Sequence, residues 1–230
     1  MARGEPCQNF FIQAALTHKF SSFHVFSSAK EKKKMARTSL VFLLLSLLYM
    51  ACQATSPAAA SSRASNFIKA SCSATKYPAL CVQSLAAFAP SIQQSPRQLA
   101  QTALNVSLAR AQSTEAFVSK MKKFKGLEKR EYEAIKDCIE EMSDSVDRLS
   151  KSVQELKHMG QAKGQDFLWH VSNVETWVSA ALTDESTCVD GFASQGLDGK
   201  VKASIRARVM NVAQVTSNAL SLVNQFASKQ

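Results

Sequence analysis

This 230-residue sequence predicts an all-α fold: an antiparallel up-down-up-down four-helix bundle with an N-terminal helical hairpin and two disulfides. Three observations carry that expectation. First, apolar residues recur at Ile135, Ile139, Met142, Val146, Leu149, Val153 and Leu156, alternating steps of four and three that form one helical seam. Second, the chain holds only seven Gly and five Pro, too few breakers for a fold of many short strands and turns. Third, four cysteines remain once the N-terminal segment is set aside, which is a disulfide framework if the chain is exported.

In chain order, residues 1–34 show weak periodicity and end in the charged run 30–34, and they read as an upstream extension preceding Met35. Residues 35–60 read as a secretory signal peptide and processing region. Arg37 supplies positive charge, Leu40 to Met50 form an apolar core too short for a membrane span, and cleavage is expected after Ala54 or Ala60. Residues 61–230 then form one folded domain, with the hairpin at 65–94 and the bundle at 95–228.

Within the domain, Asn66 to Cys72 reads as a short helix. Tyr77-Pro78 restarts the chain into a second one carrying Leu80, Cys81, Leu85 and Phe88. Ser95 is the expected N-cap of the first long helix, with Pro96 at its first position and Gln98 completing a capping box. That helix is expected to run to about Lys125. Lys120, Lys122, Lys123 and Lys125 would complement its dipole and Gly126 would end it. The second long helix carries the heptad seam, with Glu128 and Glu131 in its first turn and Lys157 and His158 in its last. The third spans about Asp166 to Asp190. The fourth spans about Asp198 to Phe226, with Val201, Ile205, Val209, Val212, Val215, Leu222 and Phe226 inward.

Cys72, Cys81, Cys138 and Cys188 admit three pairings; 72–81 with 138–188 is the least demanding. Metal binding is disfavoured, because there is no Cys-x-x-Cys and no nearby His pair. Catalysis has little support, since no phosphate-binding Gly loop or nucleophile elbow is present. His158 and His170 read as ordinary helix residues. No cofactor is expected. Residues 61–230 hold 21 Lys and Arg against 16 Asp and Glu, a moderate excess suited to weak association with acidic polysaccharide. The cations are interleaved with acids in sequence, which argues against nucleic acid. Asn105-Val106-Ser107 is the glycosylation sequon. One surface stands out. Asp137, Glu140, Glu141, Asp144 and Asp147 crowd the second long helix, and Glu140, Asp144 and Asp147 share a stripe; Asp184, Glu185 and Asp190 are candidate additions from a neighbour.

The run Tyr77-Pro78-Ala79-Leu80-Cys81 after Cys72, then Cys138, then Ala180-Ala181-Leu182-Thr183 with Thr187-Cys188 and Asp190-Gly191-Phe192, resembles the plant invertase and pectin methylesterase inhibitor family over residues 65–228. The resemblance implies a disulfide-tied four-helix bundle with bridges 72–81 and 138–188, and a secreted, non-enzymatic protein of the cell wall. It implies a pectin methylesterase as partner in a 1:1 complex that blocks the pectin-binding cleft, or alternatively an acid invertase. A helical carrier of small apolar ligands is a more remote alternative. Occurrence as the pro-region of a pectin methylesterase is disfavoured, since no catalytic domain follows before Gln230. Invertase inhibitors of the family carry a Pro-Lys-Phe motif. Val171-Ser172-Asn173 stands there in this chain, which tilts the expectation toward the esterase. By position relative to Cys138 and Cys188, the resemblance implies a partner interface of Glu140, Asp144, Asp147, Trp177, Thr187 and Asp190, with Trp177 replacing a tyrosine-like residue.

Overall fold

A computed structural model describes residues 57–193 and 199–229. The upstream extension and most of the signal-like segment lie outside the described residues. Among the described residues the chain forms α1 (Pro57–Cys72), α2 (Pro78–Leu85), a 3-10 turn (Ala86–Phe88), α3 (Ala89–Ile92), α4 (Pro96–Met121), α5 (Lys129–His158), α6 (Gly164–Gly191) and α7 (Lys200–Ala227). No described helix is long and apolar enough to cross a membrane.

The four long helices form a ring in which α4 packs on α5, α5 on α6, α6 on α7 and α7 back on α4. This is the arrangement that short connections between antiparallel helices allow. The hairpin elements α1, α2 and α3 pack on one another and against α4 and α7. Disulfides join Cys72 to Cys81 and Cys138 to Cys188, so the least demanding pairing is the one formed. The hairpin is further pinned by Asn218 of α7, whose Oδ1 accepts from the Tyr77 N–H at 3.0 Å while its Nδ2 donates to the Tyr77 carbonyl at 2.9 Å.

Several boundaries differ from the sequence expectation. The first helix begins at Pro57 rather than near Asn66. The second short helix stops at Leu85; the chain tightens into the 3-10 turn, and Phe88 is 42 % exposed instead of facing the core. Ser95 caps α4 as expected, its hydroxyl accepting from the Gln98 N–H at 3.2 Å. A side-chain reach-back is seen instead at α5, where the Glu128 N–H donates to Glu131 Oε2 at 3.2 Å. Helix α4 ends at Met121, so only Lys120 occupies its last turn; Lys122, Lys123 and Lys125 lie in the connection to α5, where Gly126 takes φ 87°. At the far end of α5 the Leu156 carbonyl accepts from Arg97 Nη2 at 3.1 Å and from Gln101 Nε2 at 3.3 Å, and Gly160 adopts φ 56° just past the helix.

The α5 seam is also displaced by one position in every second step. Ile135, Met142, Leu149 and Leu156 are fully buried as expected, but Cys138, Ser145 and Ser152 alternate with them, and Ile139, Val146 and Val153 are only half-buried flankers. Small residues at alternate positions let α5 approach its neighbours closely, and a pattern scored on hydrophobicity overlooks them.

Candidate partner-binding face

Successive helical residues are about 100° apart. With Cys138, Met142, Ser145 and Leu149 turned inward, Glu140 and Asp147 point away from the core, and Asp144 leans toward α6. All three are exposed. An ion pair between α5 and α6 stands beside Asp144. Arg148, one turn on, pairs through Nε with Asp184 Oδ2 of α6 at 2.7 Å, and its Nη2 stands 3.9 Å from Asp144 Oδ2. Arg148 therefore sits between a buried carboxylate and the exposed stripe. Burial raises the Asp184 pKa above its ordinary value; the Arg148 charge opposes this without overcoming it. Glu141, half-buried beside them, is raised by burial first and then by the charges of Asp184 and Asp144.

On α6, Trp177 is half-buried, and Thr187 is exposed with its hydroxyl donating to the Thr183 carbonyl at 2.9 Å. Asp190 is exposed on the other flank of α6. There it lines a groove of about 490 Å³ with Ser186, Met210 and Ser217 and with Lys76 and Tyr77 from the hairpin connection. The six interface candidates thus divide between the outer face of α5, the flanks of α6 and the α6–α7 groove. The Cys138–Cys188 bridge fixes the spacing of the two helices that carry them.

Asp184 and Glu185 do not extend the exposed stripe. Both are buried, Glu185 completely. Glu185 Oε1 accepts from Ser145 Oγ at 2.8 Å and from Thr216 Oγ1 at 3.0 Å, and Thr216 lies 2.6 Å from Ser107 Oγ. Each of the four bundle helices supplies one member of this network. Burial pushes the Glu185 carboxyl up to about 8, the two hydroxyl donors lower it, and the Asp184 charge adds to the rise. Glu185 Oε2 has no hydrogen-bond partner, which suits a neutral acid far better than a buried anion.

A second polar cluster joins α5 to α6. Glu155 Oε1 accepts from Asn173 Nδ2 at 2.9 Å and lies 2.9 Å from His170 Nδ1. Partial burial pushes the Glu155 carboxyl up, but these hydrogen bonds outweigh it and hold it below its ordinary value. His170 is therefore a partnered residue between helices rather than a plain helix-face one. Among the described residues no group of His, Cys, Asp and Glu is arranged to hold a metal ion.

Four packed helices, with a disulfide between the two that carry the exposed carboxylates, define a disulfide-tied four-helix bundle. The chain belongs to the plant invertase/pectin methylesterase inhibitor family, whose model matches residues 66–222. It is 55% identical over 196 residues to the 21 kDa protein of Daucus carota, covering 85% of this chain and 98% of that one. It is 54% identical over 194 residues to Pectinesterase inhibitor 11 of Arabidopsis thaliana, covering 83% and 96%. In fold it is similar to the crystal structure of mutant form A of a pectin methylesterase inhibitor from Arabidopsis, with TM-score 0.54 and 21% identity, covering 66% of this chain and 92% of that one.

Proposed function

We propose that this protein is a secreted, non-catalytic inhibitor of pectin methylesterase that occludes the pectin-binding cleft in a 1:1 complex. The observation that carries this reading is membership of the family together with 54% identity to a pectinesterase inhibitor over nearly its whole length. In this reading the signal-like segment at 35–60 directs export to the cell wall, and Asn105, exposed on α4, is the glycosylation acceptor. Inhibition of an acid invertase is the second reading. It is disfavoured because Val171-Ser172-Asn173 stands in place of Pro-Lys-Phe, with Val171 buried and Asn173 committed to Glu155. The discriminating experiment is residual activity of a pectin methylesterase and of an acid invertase at rising inhibitor. Esterase activity should fall to a plateau near one equivalent while sucrose hydrolysis is unaffected. The opposite pattern transfers the assignment to invertase.

The contact surface in this reading is the outer face of α5, Glu140, Asp144 and Asp147, with Trp177, Thr187 and Asp190 of α6 contributing at its flanks. A cleft built for an acidic polymer offers cationic and polar donors, and ionised carboxylates meet such donors in charge-assisted hydrogen bonds. Asp144→Asn with Asp147→Asn should weaken the esterase complex by about 1–3 kcal/mol at neutral pH. Helix content should be unchanged, because the relief of like charges one turn apart offsets loss of the exposed Asp144–Arg148 pair, and Arg148 keeps Asp184. Dissociation constants of the two proteins decide this. Equal values make the stripe a solvated face.

A further inference from the structure

Acids and bases alternate over most of this chain, but six cations crowd residues 120–130 beside one acid, Glu128, and the fold adds two more. Segments 120–133 and 199–202 hold eight Lys and Arg against three Glu, and the remainder of residues 61–230 holds thirteen against thirteen. The whole positive excess of the domain therefore belongs to these two segments. The fold brings them to one end of the bundle: the last turn of α4, the connection 122–128, and the first turns of α5 and α7. Gly199, the N-cap of α7, lies against the first turn of α5, since a Cβ built on it would be 3.6 Å from Glu131 Oε1. About two turns into α7, the Arg208 guanidinium lies 4.0 Å from the centre of the Phe117 ring of α4. Among the described residues none of Lys122, Lys123, Lys125, Lys129 and Arg130 forms an ion pair.

Two aromatic rings stand among these cations. Phe124 is 55 % exposed and Tyr132 is 39 % exposed, and Lys122 Nζ lies 5.2 Å from the Tyr132 ring centre. Exposed rings beside unpaired cations match a polymer with both apolar sugar faces and regularly spaced carboxylates. The C–H face of a pyranose lies on an aromatic ring, and each uronate meets an ammonium or guanidinium. At α7 the arrangement also runs against helix electrostatics, since Lys200 and Lys202 stand at its positive pole with no acid in the first turn, whereas α5 starts with Glu128 and Glu131 beside Lys129 and Arg130. That cost is offset when an anionic chain is bound.

We propose that this basic, aromatic end is a docking surface for de-esterified acidic polysaccharide, a polyuronate chain. It is separate from the esterase-binding face on α5 and α6. The choice of polyuronate among polyanions rests on the esterase-inhibitor reading, because free uronate carboxylates are what pectin methyl esters become on hydrolysis. Such a surface would hold the inhibitor on polymer that the esterase has already processed.

The test contains no esterase, so its failure is distinguishable from failure of the inhibitory function, which the residual-activity assay reads separately. Purified protein is run through gels containing polygalacturonate, fully methyl-esterified pectin or dextran, at about 20 mM and about 300 mM salt, where screening lengths differ several-fold. Retardation is expected only with polygalacturonate and should largely vanish at the higher salt. The variant Lys123→Gln/Lys125→Gln/Lys129→Gln/Arg130→Gln should bind about tenfold more weakly or worse, with unchanged far-UV circular dichroism and unchanged esterase inhibition. Phe124→Ala, at an exposed loop position that cannot unfold the bundle, should weaken retardation about two- to fivefold. Equal retardation in the three gels, an unaffected quadruple variant, or equally tight binding of a duplex oligonucleotide would overturn the proposal.

Discussion

Raising the pH from about 5 to about 8 is expected to destabilise the fold progressively, and Glu185→Gln is expected to remove most of that dependence. Glu185 is fully buried, and its carboxyl is pushed from the ordinary 4.5 up to about 8. Below pH 4.5 both folded and unfolded chains hold this proton, so the group is neutral in the balance. Between those values the unfolded chain releases a proton that the folded chain keeps, so each pH unit favours unfolding by about 1.4 kcal/mol. Above about 8 the cost levels off. The neighbours facing Glu185 do not reverse this trend. Asp184 raises it further, and Glu141 and Asp184 are themselves shifted upward, chiefly by burial, so they act with the same sign at lower pH. Glu155 acts oppositely. Its lowered value stabilises the fold above the ordinary carboxylate range, and that contribution is lost as pH falls through the folded value. The two together place the stability maximum in mildly acidic solution. In Glu185→Gln the side-chain oxygen still accepts from Ser145 and Thr216, and nothing ionises. Urea unfolding of both proteins at pH 5, 6.5 and 8 measures the slopes. The variant should be near wild type at pH 5 and several kcal/mol more stable at pH 8. Parallel slopes would place the titrating group elsewhere.

Breaking the bridge between α5 and α6 should have an effect of comparable size. Cys138 and Cys188 are separated by 50 residues. Closing a loop of that length restricts the unfolded chain by about 4 kcal/mol, against about 2.5–3 kcal/mol for the nine-residue separation of Cys72 and Cys81. All four cysteines are nearly inaccessible, so either double Ser variant leaves two hydroxyls to satisfy in the core, and the difference between the variants lies in loop length and in which elements are joined. Cys72→Ser with Cys81→Ser loosens the hairpin, while the long helices retain their shared core. Denaturant midpoints should therefore rank wild type above the 72/81 variant, and that above the 138/188 variant. The reverse order would make the hairpin, not the α5–α6 pair, the point where the fold is secured. Unreduced protein should contain no alkylatable thiol among these four positions.

The helices were legible because apolar burial imposes a period near 3.6, and α5, α6 and α7 keep it over six or more turns. The same rule misplaces residues that are buried for other reasons. On α6 the inward series runs Val174, Val178, Ala181, Glu185, Cys188, in steps of four, three, four and three. Glu185 occupies a core position in that series, and this was the available signal. A charged residue is discounted there because only its hydrogen-bonding partners make it tolerable, and Ser107, Ser145 and Thr216 come from three other helices. Ser145 and Ser152 were missed on α5 for the matching reason, since small polar side chains leave no hydrophobic trace. The end of α4 was overestimated because lysines near a C-terminus are compatible both with the last turn and with the loop after it. The acidic stripe was visible as spacing alone, but the pairing of Arg148 with Asp184 beside it depends on where α6 lies. Most of the positive charge at one end was visible as the run 120–130, but the addition of Lys200 and Lys202 to it is a property of the folded ring.

The most direct measurement of the central claim is a calorimetric titration of a purified pectin methylesterase with this protein, with residual esterase activity read at each addition. One isotherm with a stoichiometry near one, and activity lost in proportion to the complex formed, is the expected result. Absence of binding heat, with full esterase activity at a large molar excess of the protein, would contradict it.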